Sequence, residues 1–310
     1  MNRKANQQGI KGIILAGGLG SRLYPMSQAI SKQLLPVYDK PMIYYPLCTL
    51  MQAGIRDILI ITTPHDAPLF KRLLGDGQAW GIQLSYAEQA RPEGIAQALM
   101  IGQEFIAQQR VALILGDNIF FGADFSARIQ HAATLDEAVI FAMPVQDAQR
   151  YGVLEFNGQQ EPVRILEKPV QPPSNMAVTG LYFYPPSVCQ LAQTLRPSQR
   201  GELEITDVNQ AYLDRQALRV ERLAQEFVWL DMGTPNSLYE ASQMVQAIEQ
   251  RLGLKIASPE QVAYQQAYIN QAQLQALVEA MPSSEYQQYL QRYLLSLKEF
   301  NIHLEGEANE

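Results

Sequence analysis

Short apolar runs at residues 13–16, 58–62, 84–87 and 111–115 alternate with segments of helical length and spacing at 42–53, 68–74 and 94–106. Gly54, Gly75, Gly77 and Gly81 punctuate the ends of those segments. A chain that alternates in this way is expected to lay parallel strands side by side and carry the crossovers back as helices. The pattern therefore predicts an α/β fold with a Rossmann-like, mostly parallel central sheet and helices on both faces. After about residue 138 the strand-like runs crowd together, at 139–145, 152–156, 163–166 and 178–184, with a Pro-rich interruption at 168–173. Helical pattern returns at 205–213, a strand is expected at 227–230, and a helix at 235–251. Residues 259–300 are rich in Gln and Ala, with apolar residues at helical spacing and no strand signal. The expected organisation is a core over 10–252, with a nucleotide-binding half at about 10–137 and a β-rich substrate half at 138–252. A helical segment follows at 253–300, with loose ends at 1–9 and 301–310.

The first strand runs straight into Gly17-Gly18-Leu19-Gly20-Ser21-Arg22-Leu23, and Lys32-Gln33 follows closely. Gly17, Gly18 and Gly20 allow a tight turn that points successive backbone N–H groups at phosphate oxygens. Arg22 can fork onto a phosphate, and Lys32 can act as a point charge. Spacing rules out two other phosphate loops. There is no Gly-Lys-Ser/Thr after four intervening residues, and Leu23 stands where a dinucleotide-binding loop needs its third glycine. The missing glycine argues against an oxidoreductase.

At 310 residues the chain has ample length for a full core. Cys48 and Cys189 lie far apart in apolar surroundings, which predicts reduced core thiols in a cytoplasmic protein. The three histidines are scattered, so no zinc site is expected. The first eight residues have no apolar signal region, and no run reaches a membrane span. A net charge of −7 argues against nucleic acid as a partner and requires phosphate affinity to be local.

Two aspartates complete the pattern. Asp117 follows the run at 111–115, and Asp231 ends the run at 227–230, so each stands at a strand's carboxyl end, where open α/β sheets bind ligands. Carboxylates from two strand ends can share a Mg²⁺ beside a polyphosphate. Each could equally cap a helix or a turn.

These stretches together resemble the sugar-1-phosphate nucleotidylyltransferases, and among them the thymidylyl-transferring branch. The likeness runs in order from residue 10 to about 295, through Leu74-Gly75-Asp76-Gly77, Gly116-Asp117-Asn118, Arg150-Tyr151-Gly152-Val153, Glu167-Lys168-Pro169 and Val178-Thr179-Gly180, and on through Gly201-Glu202-Leu203-Glu204 to Trp229-Leu230-Asp231. The resemblance implies dTTP and α-D-glucose-1-phosphate as substrates, Mg²⁺ as cofactor, and a homotetramer. It makes residues 138–252 the sugar-phosphate half. It assigns Arg22, Lys32 and Lys168 to phosphates and Asp117 with Asp231 to the metal, and these five form its catalytic set. Gly17, Gly18, Gly20, Gln33, Gln89 and Gly94 would bind the nucleotide, with Gln89 and Gly94 reading the base. Asn118, Tyr151, Gly152, Glu167 and Val178 would line the sugar pocket.

The sequence also departs from the family pattern. Ser27 stands where Thr is frequent, and Met232 follows Asp231 where Thr is usual, which would remove a hydroxyl near the phosphates. Relatives inhibited by dTDP-rhamnose carry His-Glu where this chain has Ser126-Ala127, and Arg where it has Gln225. Feedback by that product is therefore expected to be weak or altered. Use of UTP stays open, since one methyl and one hydroxyl separate the two nucleotides. A non-catalytic regulatory homologue would be expected to have lost Arg22, Lys32, Asp117 or Asp231, and all four are present.

Overall fold

The structure, a computed structural model, describes residues 9–18, 20–224 and 226–307, with side chains through residue 297. Residues 1–8 of the expected loose N-terminus at 1–9, Leu19 of the glycine loop, Gln225 of the effector comparison and residues 308–310 lie outside the described residues.

The strands are β1 (Ile10–Ala16), β2 (Pro36–Val37), β3 (Lys40–Pro41), β4 (Asp57–Thr62), β5 (Gln83–Glu88), β6 (Arg110–Leu115) and β7 (Asn118–Gly122). Beyond them come β8 (Ala138–Pro144), β9 (Gly152–Phe156), β10 (Pro162–Glu167), β11 (Met176–Tyr184), β12 (Leu218–Arg222) and β13 (Phe227–Asp231). The helices are α1 (Tyr44–Gln52), α2 (Ala67–Leu74), α3 (Gln97–Ile101), α4 (Gln103–Ile106), α5 (Phe125–Thr134) and α6 (Val188–Thr194). Then follow α7 (Ile205–Asp214), α8 (Pro235–Leu252), α9 (Pro259–Gln265), α10 (Gln271–Ala280) and α11 (Glu285–Glu307).

The molecule is mixed α/β, with helices packed around a nine-stranded, mostly parallel central sheet, as the sequence predicts. Its central run is β6-β1-β4-β5, parallel throughout. β1 lies inside that run because Ile13, Ile14 and Ala16 are fully buried between the layers. The crowded strands of the second half continue the same sheet. β11 pairs antiparallel with β6, β8 and β9, and β12 lies parallel along β8. Two apolar layers, one on each side, contain Ile14, Ile60 and Ile114 on one face and Ile13, Leu59 and Leu113 on the other, as the two-residue strand period requires.

The segment at 94–106, expected as one helix, is two. Gly102 divides α3 from α4 and packs so closely on the sheet that a Cβ would come within 2.7 Å of Ile13. The helical segment at 259–300 is three helices, and α11 continues to Glu307 through part of the expected loose end. No described helix is long and apolar enough to cross a membrane. Cys48 and Cys189 are free and buried, and burial pushes both thiols above their ordinary range.

Candidate active site

β1 ends at Ala16, and the chain leaves the sheet through Gly17 and Gly18 into Gly20, whose φ of 61° suits glycine. Ser27 Oγ donates to the Gly20 carbonyl at 2.7 Å, so this departure from the family pattern serves the loop itself. Arg22 sits in a short turn anchored by fully buried Leu23. Its guanidinium lies against Gly233, where a Cβ would stand 3.0 Å from Nη2. Lys32 begins a second short turn. Ahead of it, the Ser31 amide donates to buried Asp66 at 3.1 Å and Ser31 Oγ donates to Gln33 Oε1 at 2.6 Å. Lys32 Nζ pairs with Asp117 Oδ2.

Asp117 lies between β6 and β7. Antiparallel pairing of β13 with β7 sets Asp231 opposite Asn118, and both aspartates line one cavity. Asn118 is a junction: its Nδ2 donates to Asp117 Oδ1 at 3.0 Å, and its Oδ1 accepts from Trp229 Nε1 at 2.6 Å and from the Gly180 amide at 3.2 Å. Burial raises the Asp231 carboxyl and the Asp117 charge raises it further, to about 6, against the opposing Lys32, Arg150 and Arg22. Burial acts on Asp117 as well, but the Lys32 ammonium and the Asn118 amide hold it below the ordinary carboxylate range.

The same cavity is lined by Gly18, Arg22, Lys32 and Gln33 on the loop side. On the other side stand Asn118, Tyr151, Gly152, Glu167, Lys168 and Val178. Glu167 Oε2 accepts from Thr206 Oγ1, while its Oε1 lies 3.3 Å from Arg200 Nη1 and 3.5 Å from Lys168 Nζ. Four predicted nucleotide residues do not line this cavity. Gly17 and Gly20 shape the loop, Gln89 is buried behind Gly17, and Gly94, at φ 109°, packs on the Leu203 backbone.

Sequence reasoning gave no role to Arg150, Trp229, Thr206 or Arg200; Arg150 and Trp229 stand in stretches that carry the resemblance, and Arg200 and Thr206 flank the stretch at 201–204. Arg150 Nη2 is 3.3 Å from Asp231 Oδ2, and Trp229 packs on Tyr151 with ring centroids 5.0 Å apart. The usable signal was a cation immediately before Tyr151-Gly152, and an indole two residues before Asp231 on the same strand. The expectation for Met232 is corrected. Its side chain is fully buried among Leu23, Met42, Tyr45 and Ile119, so it belongs to the core beneath the site and not to the phosphate surface.

Among the described residues no group of three or more His, Cys, Asp or Glu forms a ready metal cage. Two converging carboxylates nonetheless suit a Mg²⁺ that takes its remaining ligands from phosphate and water. Burial and then the Asp117 charge push Asp231 upward, and a bound cation would favour its ionised form.

The nucleotidyl transferase family profile matches residues 11–248. The chain belongs to that family. Similar proteins include the glucose-1-phosphate thymidylyltransferase of Neisseria meningitidis, 51% identical over 92% of this chain and 99% of that protein. The protein of that name from Mycobacterium tuberculosis is 52% identical over 91% of this chain and 98% of its own length. This family member is therefore an enzyme, a nucleotidyltransferase. A Bacillus anthracis structure described as a glucose-1-phosphate thymidylyltransferase in complex with a sucrose superposes with a TM-score of 0.70 at 40% identity, over 76% of this chain and 95% of that one. UDP-glucose pyrophosphorylase complexed with UDP-glucose shares the fold, with a TM-score of 0.67 at 23% identity over 77% of this chain and 98% of that one.

Proposed function

We propose that this enzyme transfers the thymidylyl group of dTTP to α-D-glucose-1-phosphate, giving dTDP-glucose and pyrophosphate. The observation that carries the reading is one cavity bounded by the glycine loop with Arg22 and Lys32 on one side and by Tyr151, Glu167 and Lys168 on the other. Relatives that share about half of its residues bear that name.

In this reading a phosphate oxygen of the sugar phosphate attacks the α-phosphorus of dTTP in line. The new P–O bond forms as the α–β bridge breaks, and pyrophosphate leaves with the electron pair. No general base is needed, because the nucleophile is already an anion. Arg22 and Lys32 stabilise the charge that builds on the α-phosphate. Lys32 must exchange Asp117 for phosphate when the nucleotide arrives. Lys168 neutralises the incoming sugar phosphate. Glu167, held by Thr206 and Arg200, presents a fixed acceptor to the sugar hydroxyls, with Asn118, Tyr151, Gly152 and Val178 shaping the pocket. Asp117 and Asp231 would hold Mg²⁺, which supplies charge neutralisation for the leaving pyrophosphate. Gln33, Gln89 and Gly94 position the nucleotide, the last two at the base.

The proposal extends to a cytoplasmic homotetramer that begins synthesis of dTDP-rhamnose or a related dTDP-deoxysugar, with weak or altered feedback. Ser126 lines a second cavity with Phe125 and Lys255. The Lys255 ammonium there is already engaged by Asp39 and by Glu249 at 2.8 Å, so a diphosphate would have to compete for it.

The test is pyrophosphate release from dTTP with α-D-glucose-1-phosphate, with and without Mg²⁺, beside UTP, galactose-1-phosphate and an Asp117→Asn variant. Mg²⁺-dependent release with the first pair, collapsing in the variant and little changed by micromolar dTDP-rhamnose, is expected. No release with any pair would refute the activity, and strong inhibition would refute the feedback reading.

A further inference from the structure

The amide of Gln89 is held in one orientation by a partner that the reaction does not use. Gln97, the first residue of α3, accepts the backbone N–H of Glu93 at 3.1 Å through Oε1, and its Nε2 donates to Glu93 Oε2 at 2.9 Å. A backbone N–H can only donate and a carboxylate can only accept, so the two ends of the Gln97 amide cannot be exchanged. That leaves Gln97 Oε1 as the acceptor facing Gln89, and Gln89 Nε2 donates to it at 2.6 Å. One N–H of the Gln89 amide is thereby committed, which fixes its nitrogen end on the Gln97 side. Its Oε1 is turned toward Gly17, the first residue of the loop, where a Cβ would collide with it. Gln89 is 2% exposed and its own amide N–H is bonded to the Thr62 carbonyl at 2.7 Å, so neither backbone nor side chain is free to turn.

We propose that Gln97 is a positioning residue that sets the polarity of Gln89, and so makes the nucleotide site select pyrimidines that carry a proton on N3. The inference rests on the placement of Gln89 at the base in the proposed function. Thymine and uracil present N3–H, a donor, to an amide oxygen. Cytosine presents a lone pair there, and against a fixed Oε1 the two acceptors repel. Without Gln97 the Gln89 amide can turn over and offer Nε2 to cytosine.

The experiment measures kcat/KM for dTTP and dCTP with α-D-glucose-1-phosphate in full-length wild type, Gln97→Met, Gln97→Glu and Glu93→Ala, with a thermal midpoint for each. Met matches the volume and lacks the amide, so the dTTP:dCTP ratio should fall about tenfold. Glu keeps an acceptor for Gln89 Nε2 but cannot donate to Glu93 and faces its carboxylate, so the ratio should fall, though by less than in Gln97→Met. Glu93→Ala changes only an exposed side chain and removes one of the two anchors of Gln97, so the ratio should fall by a smaller factor in the same direction. A residue that merely supports the fold would slow both nucleotides alike. A ratio unchanged in both Gln97→Met and Glu93→Ala overturns the role of Gln97 while leaving the proposed reaction intact. A wild type that uses neither triphosphate overturns both.

Discussion

Asp231 is the residue at which burial and chemistry oppose each other. Its carboxyl stands at about 6 in the folded chain against an ordinary 3.8, so at pH 8 the folded state holds a charge that it would rather lose. The sign follows from the raised value. The penalty is fully present above about pH 6 and is relieved as pH falls from there toward the ordinary carboxylate value. Metal-free Asp231→Asn should therefore be more stable than wild type at pH 8, by on the order of 1–3 kcal/mol, and the gap should shrink to roughly a third of that at pH 4.5. Asp117 has the opposite sign. Lys32 holds it low, so its contribution is stabilising above the ordinary carboxylate range and is lost as pH falls through its folded value. Asp117→Asn should destabilise at pH 8. Thermal unfolding of the two variants in chelator at both pH values checks this, and a pair of variants moving in the same direction would refute it. Both should lose at least about 100-fold in pyrophosphate release if they hold the metal.

At the scale of elements, the cradle is held by a hairpin and a helix that meet away from it. Lys40 of β3 is 3% exposed and pairs with Glu249 of α8 at 2.7 Å and with Asp39 at 2.6 Å. Glu249 also accepts the Ile256 amide at 2.8 Å and the Lys255 ammonium. The hairpin follows the Lys32-Gln33 turn, and α8 follows Asp231 after a Thr234 cap, so the network ties together the segments that carry both catalytic charges. Glu249→Ala should cost about 3 kcal/mol, because it leaves a buried ammonium short of a partner. The double change Lys40→Met with Glu249→Leu should cost much less. Urea unfolding of both decides it, and an equal loss in the two would show that the charges themselves are not the cause. None of this was legible in the sequence, since two-residue strands have no period to read and a pair separated by 209 residues leaves no local trace. β1, β4 and β6 were legible because both of their faces are buried and they read as unbroken apolar runs. Asp117 and Asp231 were legible as strand ends, whereas the meeting of Trp229 with Asn118 depends on the β7–β13 register, which is set only when distant segments pair.

At the scale of the whole molecule, the question is whether α9–α11 are an attachment or part of the core. Val262, Ile269, Leu274, Val278, Leu290 and Leu294 are buried in the same apolar cluster as Ile14, Ile60 and Ile114 of the sheet. Glu260 of α9 accepts from Trp80 Nε1 at 3.2 Å and from Tyr286 OH of α11 at 2.6 Å, and Tyr268 OH donates to the Met51 carbonyl at 3.0 Å. Burying six such side chains contributes on the order of 10 kcal/mol, as much as the net stability of an ordinary domain. Removing them would also strip the cover from Cys48 of α1 and from Trp80 and Ile82, which lie in that cluster. Wild type should therefore unfold in one cooperative transition, with helical circular dichroism and tryptophan fluorescence changing together. A chain ending at Ser258 should fail to give a folded, soluble protein. The opposite outcome is equally readable. A truncated chain that melts cooperatively and still releases pyrophosphate would mean that the sheet is stable without its C-terminal cover. The shared cluster would then contribute far less than its buried area implies.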